Sequence, residues 1–533
     1  MLGLALTLVP LANAQTAGST AGQGPGTVLE LVGPVLAVPD RALHPRRVLA
    51  IARATPEVAG QGGGLAERLY LRSPDAWQVS FIRAGDEVVQ VVIGDDARVR
   101  EAWSGIQVDW TMARGYEGAF GRQAASLPVW LVGLLLFLAP FARRPWRMLH
   151  VDLLVLASFS ISLAFFSRGA VEVSVPLAYP PLLYLLARLL HLARRGGRPP
   201  EPLRLVGAHW LAAGIVFLIG FRLALQGFHS NVIDVGYSGV IGADRITGGQ
   251  DLYGSFPSDN PHGDTYGPLV YLAYVPFELL SPWSGTWDDL PAAHAASAVF
   301  DLACAGGLYL VGRRSSPTRA LLLAYLWLAF PFTLLAANSG ANDALTGLLV
   351  LAAVALPAGR GALGMAAALT KLAPAVLLPL LVRTRRDALT AAAVLAAALA
   401  FVAVLDGGLG DAFERTVLFQ VDRDSPFSVW GLYELAPATQ LLAQLAVAGL
   451  ALVAARRGGD RYALAAALLV AVQLTAGHWF YLYLDWLLPV AFVALLAPYA
   501  IGRSTGSMED ADRGFSAQRT STALSHGSSV AAP

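Results

Sequence analysis

Lysine is nearly missing from this chain. Of its 38 Lys and Arg residues, all but Lys371 are arginine. A chain that uses arginine for every ordinary positive charge keeps a compact, flexible ammonium at one place, and that place merits its own reading against simple chance. Cysteine is as scarce: Cys304 stands alone in an apolar run, so no internal disulfide can form and no cysteine cluster can hold a metal. Charged residues make up 14% of the 533 positions against 55% hydrophobic ones. A soluble domain carries about a quarter charged residues, so the apolar surface here exceeds what one core can hide. The net charge of +1 gives nucleic acid nothing to bind. HExxH and GxxxxGK[ST] motifs are both lacking, which removes zinc-protease and P-loop readings.

What is present is a series of apolar runs punctuated by arginine. Eleven of them read as membrane crossings: 127–142, 149–167, 175–193, 205–225, 291–312, 320–337, 343–357, 387–405, 436–455, 462–477 and 485–501. The start, LGLALTLVPLANAQ, has the length and small-residue ending of an export signal over residues 1–14, although it has no basic n-region. With the following segment outside, Arg143-Arg144, Arg194-Arg195, Arg313-Arg314, Arg383/Arg385/Arg386 and Arg456-Arg457 all fall inside, as the positive-inside rule requires. The expectation is a multi-pass plasma-membrane protein with an extracytoplasmic N-terminal domain, a cytoplasmic C-terminus and a disordered tail over 503–533.

Two apolar runs break this alternation if they cross. YGPLVYLAYVPFELL (266–280) is short and carries two prolines, which predicts an interfacial or re-entrant helix on the outer side. GALGMAAALTKLAPAVLLPLLV (361–382) has arginine at both flanks, so it should enter and return as two short helices with an apex near Lys371. A charge at membrane depth is expensive, and so marks a functional site by default.

After a linker over 15–44, residues 45–122 read as a small α+β domain. WQVSFIR (77–83) and VVQVVI (88–93) alternate as strands around an AGDE turn, RVREAWSGI reads as a short helix, and a helix such as 43–54 must cover the hairpin. The pattern resembles PepSY-like extracytoplasmic domains. Three accessory helices over 127–193 separate it from a core at 205–501, whose outer loops are 226–290 and 406–435.

Candidate chemistry gathers in those loops. Asp234 follows the fourth crossing closely, where a carboxylate can act on a molecule held at the lipid surface; helical spacing puts it on one face with Tyr237. The plain alternative is that it caps a helix. Arg245 and Arg423 are loop cations. Tyr253, Tyr266, Trp430 and His478 could stack on sugars or form an interfacial aromatic belt, and Asn342 and Asp343 could bind hydroxyls or cap the helix that follows. Asp259, His262 and Asp264 (DNPHGD) are metal-ligand types, in a Gly/Pro setting that also suits a turn. No cofactor is called for.

Asp234 and Tyr237, then Gly248 and Leu252-Tyr253-Gly254, NSGAND (338–343), AALTKLAP and DSPFSVWG (424–431) occur in an order that resembles GT-C glycosyltransferases. The resemblance is narrower to polyprenyl-phosphate-sugar-dependent mannosyl- and arabinofuranosyltransferases. It covers about 205–501, with the three accessory helices and the exported domain as departures. It implies an all-α, GT-C-like membrane core, a polyprenyl-phosphate sugar as donor, and a glycan or glycolipid as acceptor on the extracytoplasmic side, met within membrane lipid. Asp234 matches the general base, Lys371, Arg245 and Arg423 would bind donor phosphate, and Tyr237, Tyr253, Tyr266, Asn342, Asp343, Trp430 and His478 would meet acceptor or sugar. The competing reading from topology alone is a transporter or lipid-linked-sugar flippase.

Overall fold

The computed structural model describes residues 29–32, 38, 41–72, 75–116, 118–141, 147–194, 206–422 and 425–496. The expected export signal, the C-terminal tail and Arg423 lie outside these residues.

The N-terminal module is a five-stranded antiparallel meander of β1 Leu29–Val32, β2 Ala66–Arg72, β3 Ala76–Arg83, β4 Asp86–Gly94 and β5 Val99–Ser104. The period-two pattern sets its core. Trp77 pairs with Ile93, Val79 with Val91 and Phe81 with Val89, all buried on one face. Helix α1, Pro45–Arg53, lays Val48, Leu49 and Ala52 against that face, as the bare hairpin demanded. RVREAWSGI differs from the expected helix. Residues 99–104 pair along β4 instead, because an unpartnered strand edge recruits an extended neighbour over a weak local preference. Beyond it, Ile106–Asp109 forms one short helical turn. Strand β1 falls within the stretch read as linker.

The rest of the described chain is helical. In order, the main helices are α2 Leu127–Leu138, α3 Met148–Phe166, α4 Val171–Arg194, α5 Ala208–Phe228, α6 Asp234–Gly248, α7 Pro268–Glu278, α8 Pro291–Arg313, α9 Pro317–Ala329, α10 Pro331–Asn338, α11 Asp343–Ala355, α12 Arg360–Ala368, α13 Arg385–Leu405, α14 Pro437–Arg457, α15 Arg461–Thr475 and α16 Leu484–Leu495. Six of them (α3, α4, α5, α8, α13 and α14) are long and apolar enough to cross a membrane. The run expected to cross once at 320–337 is instead bent by 58° between α9 and α10, at Pro331, which has no N–H for the continuing ladder; taken as one span, it makes a seventh. The other four expected crossings, around 127–141, 343–355, 461–475 and 481–495, are shorter apolar helices. By length and composition these helices mark a membrane protein. Two of its buried carboxylates are paired with arginine: Arg222 bonds Asp301 at 2.8 Å, and Arg188 with Tyr184 holds Asp152, as low dielectric favours.

Two backbone pairings position the functional residues. Asn231 and Ile233 donate to the carbonyls of Asn338 and Ser339, which pins the start of α6 to the NSGAND turn. Gly340 sits there at φ +64°, and a Cβ on Gly236 would lie 2.3 Å from its carbonyl oxygen. The second pairing joins Gly267 and Leu269 to the carbonyls of Thr370 and Leu369. This ties the start of α7 to the break after α12. The segment 361–382 forms α12, that break at Lys371, and a return through Ala373–Leu377 and Leu378–Leu381, whose Leu378 and Leu381 face Gly364. Gly267→Ala should separate the two backbones, because its Cβ would meet the Leu369 carbonyl at 2.0 Å. We expect a loss of about 1–3 kcal/mol, read as a lower Tm of the purified protein.

Candidate functional site

A cavity of about 940 Å³ lies at the meeting point of these elements, and both Asp234 and Lys371 line it. Asp234 is the first residue of α6 and is exposed. The helix N-cap is Ile233, which makes no side-chain capping bond, so the carboxylate does not occupy the cap position. Its own carbonyl takes bonds from Ser238 and Asn260, which hold the first turn in place.

Lys371 enters from the break between two short helices and is 7% exposed. Its Nζ lies 3.4 Å from Asp343 Oδ1, 4.2 Å from the centre of the Tyr266 ring and 5.9 Å from that of Trp486. Trp486 Nε1 donates to the same Asp343 oxygen at 2.7 Å. A buried ammonium needs such a partner, and two aromatic faces add cation–π attraction. Asp343 therefore steers the ammonium and does not serve as the helix cap; that position belongs to Asn342. Trp486→Phe removes a bond to a charged group and should cost about 1.5–3 kcal/mol of stability, read as a lower Tm of the purified protein.

From Lys371 a row of rings continues along the cavity wall. Tyr483 stacks on Trp486 at 4.2 Å, and His478 lies 6.0 Å from Tyr483. His478 Nδ1 shares a 2.7 Å bond with Ser425 Oγ, which fixes the imidazole. Tyr253 lines the cavity too, and its hydroxyl donates to the Tyr266 carbonyl. Burial, and then the Asp406 and Asp264 carboxylates, push that phenol well above its usual range, so it stays a donor. Apolar lining comes from Leu395, Leu399 and Val402 of α13, Phe413 and Val417 beyond it, and Val447 of α14. Helices α13 and α14 are the least buried of the six spans.

The structure thus gathers Asp234, Lys371, Asp343, Tyr253, Tyr266 and His478 at one cavity. The other described residues named from sequence do not line it. Tyr237 is fully buried, donates to Asp259 at 3.1 Å and stacks on Trp287; burial and that carboxylate raise its pKa far above the usual phenol value. Arg245 is taken up by the Asp251 carbonyl and Ser255 of its own loop and covers Phe256, so it staples the loop and is not placed to bind a phosphate in the cavity. Asn342 donates to the Val235 carbonyl, and Trp430 to that of Leu474. The DNPHGD residues part company: Asp259 serves Tyr237, His262 stacks on Phe419, and Asp264 takes Gly254 N–H and Arg415. Among the described residues no three His, Cys, Asp or Glu side chains are grouped to hold a metal.

Trp486, Tyr483, Met112 and Phe120 line the cavity without having been singled out. YLYLDW (481–486) was a usable signal for the first two, since it continues the aromatic run after His478. No local signal marks Met112 and Phe120, which arrive from the N-terminal side.

No curated protein and no solved structure matches the chain. Residues 265–478 match the model of Glycosyltransferase family 87, a family of GT-C type. That stretch holds Tyr266, Asp343, Lys371 and His478; it begins after Asp234 and ends before Trp486. On this match, made over the part of the chain that builds most of the cavity, the protein is a membrane glycosyltransferase.

Proposed function

We propose that the protein transfers a sugar, of the mannose or arabinofuranose class, from a polyprenyl-phosphate donor to a glycan or glycolipid acceptor on the extracytoplasmic side. The reading rests on one observation above the others: Asp234 and Lys371, far apart in sequence, line one cavity. The acceptor hydroxyl attacks the anomeric carbon, and Asp234 takes its proton as the new C–O bond forms. The bond from that carbon to the phosphate oxygen breaks, its electron pair leaves with the polyprenyl phosphate, and the configuration inverts. Lys371 holds the developing phosphate charge as a compact cation, and Asp343 keeps the ammonium aimed until the phosphate arrives.

The wall made by α13 and α14 supports a lipid-linked donor, because these helices carry apolar lining and are the spans least covered by protein. A polyprenyl chain entering there stays in the lipid while its phosphate reaches Lys371. Aromatic faces at Tyr266, Tyr483 and Trp486 suit the C–H faces of a sugar. The direct test supplies purified protein with radiolabelled polyprenyl-phosphomannose or -arabinofuranose and membrane glycolipids. Labelled glycan with release of polyprenyl phosphate is the expected outcome, and movement of intact donor across proteoliposomes without glycan product would overturn it.

A further inference from the structure

The cavity has a wall from outside the matched stretch. Met112 and Phe120 line it, yet both lie in the connector, residues 106–125, between the N-terminal sheet and α2. The connector is fixed at several points. Its Gly115 adopts φ +72°, and a Cβ there would meet Gly169 N at 2.0 Å, at the turn between α3 and α4. Gln107 donates to the Gly169 carbonyl, and Arg114 to that of Gln107. Asn231 Nδ2 donates to the Ala119 carbonyl at 2.7 Å, three residues before Asp234. Phe120 packs against Phe480 with ring centres 4.8 Å apart. Trp110 meets His478 at 6.0 Å and Phe427 at 5.4 Å. Anchors on both sides hold these side chains in one place, which a selective wall requires.

We infer that Met112 and Phe120 are specificity-determining residues, which set how large a glycan or glycolipid acceptor enters beside His478 and reaches Asp234. The inference rests on the transferase reading above and adds the acceptor side to it. The donor's lipid has its wall at α13 and α14, open to the bilayer. The connector instead hangs from a folded module with surface ion pairs such as Arg100–Asp75, a hydrophilic neighbour that suits a hydrophilic acceptor. The Phe120 ring on Phe480 and the Met112 thioether, two residues from the Trp110 that meets His478, present an apolar face to one sugar ring, and their bulk stops a second one or a branch.

The experiment replaces the chain in its own cells by Met112→Ala, Phe120→Ala and the double variant, and profiles glycan and glycolipid species by mass spectrometry. Trimming the wall should let the enzyme's sugar appear on acceptors larger than the native one, with the ratio of larger to native product raised at least threefold in the double variant. A uniform fall of all products at an unchanged ratio, with normal protein levels, overturns the inference and leaves the connector as support. If the alanine chains fail to accumulate, Phe120→Leu and Met112→Val trim less, and the same shift in ratio is required of them. A failed transferase reading looks different: deleting the whole chain would then change no glycan or glycolipid species at all.

Discussion

Asp234→Asn lowers the rate of sugar transfer by about 10²–10⁴-fold and leaves donor binding unchanged, the range expected when a general base is removed. Asparagine is isosteric and can still accept a bond from the hydroxyl, but it cannot take the proton as the C–O bond forms. The side chain is exposed to the cavity at the first position of α6, and the backbone that holds it is pinned at Asn338 and Ser339, so the exchange should not disturb the fold. Single-turnover transfer from radiolabelled donor checks the rate, and retention of labelled polyprenyl phosphate checks binding. Transfer at the wild-type rate would remove Asp234 from the chemistry. Loss of binding in step with rate would make it a donor contact.

At Lys371 the variants must separate charge, shape and stability. Lys371→Met leaves Asp343, 1% exposed, with the Trp486 N–H and no cation. Breaking a buried pair from one side costs about 3–5 kcal/mol. We expect a large fall in Tm and at least 10²-fold slower transfer, the scale of losing one preorganised electrostatic contact. Adding Asp343→Asn should recover most of the Tm and none of the transfer, because the orphan charge is then gone while the phosphate still lacks its cation. Lys371→Arg keeps the charge, but its planar fork must fit where a ring stands 4.2 Å from Nζ, so donor use should drop on the order of tenfold. Full activity in Lys371→Arg would mean that charge alone is needed. Recovery of transfer in the double variant would mean that Lys371 serves only to neutralise Asp343.

Much of this site was readable in advance where the chemistry was locally expensive. A single lysine in a proline-broken apolar run marks a costly charge, and the structure puts Lys371 at the break. The alternation of WQVSFIR and VVQVVI was enough to pair β3 with β4, since period two leaves one face for a core. What failed depended on partners remote in sequence. RVREAW has no strong preference of its own and took the form that the edge of β4 offered. Arg245 has the charge for phosphate, but oxygens of its own loop, at Asp251 and Ser255, already take its donors. Tyr237 found Trp287, fifty residues away, and turned inward. Met112 and Phe120 come to the cavity through a connector whose path no local pattern reports. Lys371 carries a burial cost that few environments relieve, whereas Arg245 and Tyr237 had local or tertiary partners at hand.

The chain's lack of lysine makes a selective probe possible. Acetic anhydride can acetylate Lys371 and the chain's amino terminus and no other amine, and peptide mapping by mass spectrometry reports the rate at Lys371 alone. Saturating polyprenyl phosphate should slow acetylation of Lys371 at least tenfold, in wild type and in Asp234→Asn alike, whereas inorganic phosphate at the same concentration should not. Acetylated protein should transfer no sugar. A rate at Lys371 that polyprenyl phosphate leaves unchanged, or an acetylated protein that still transfers at full rate, would contradict a donor phosphate held at Lys371 within the cavity that Asp234 shares.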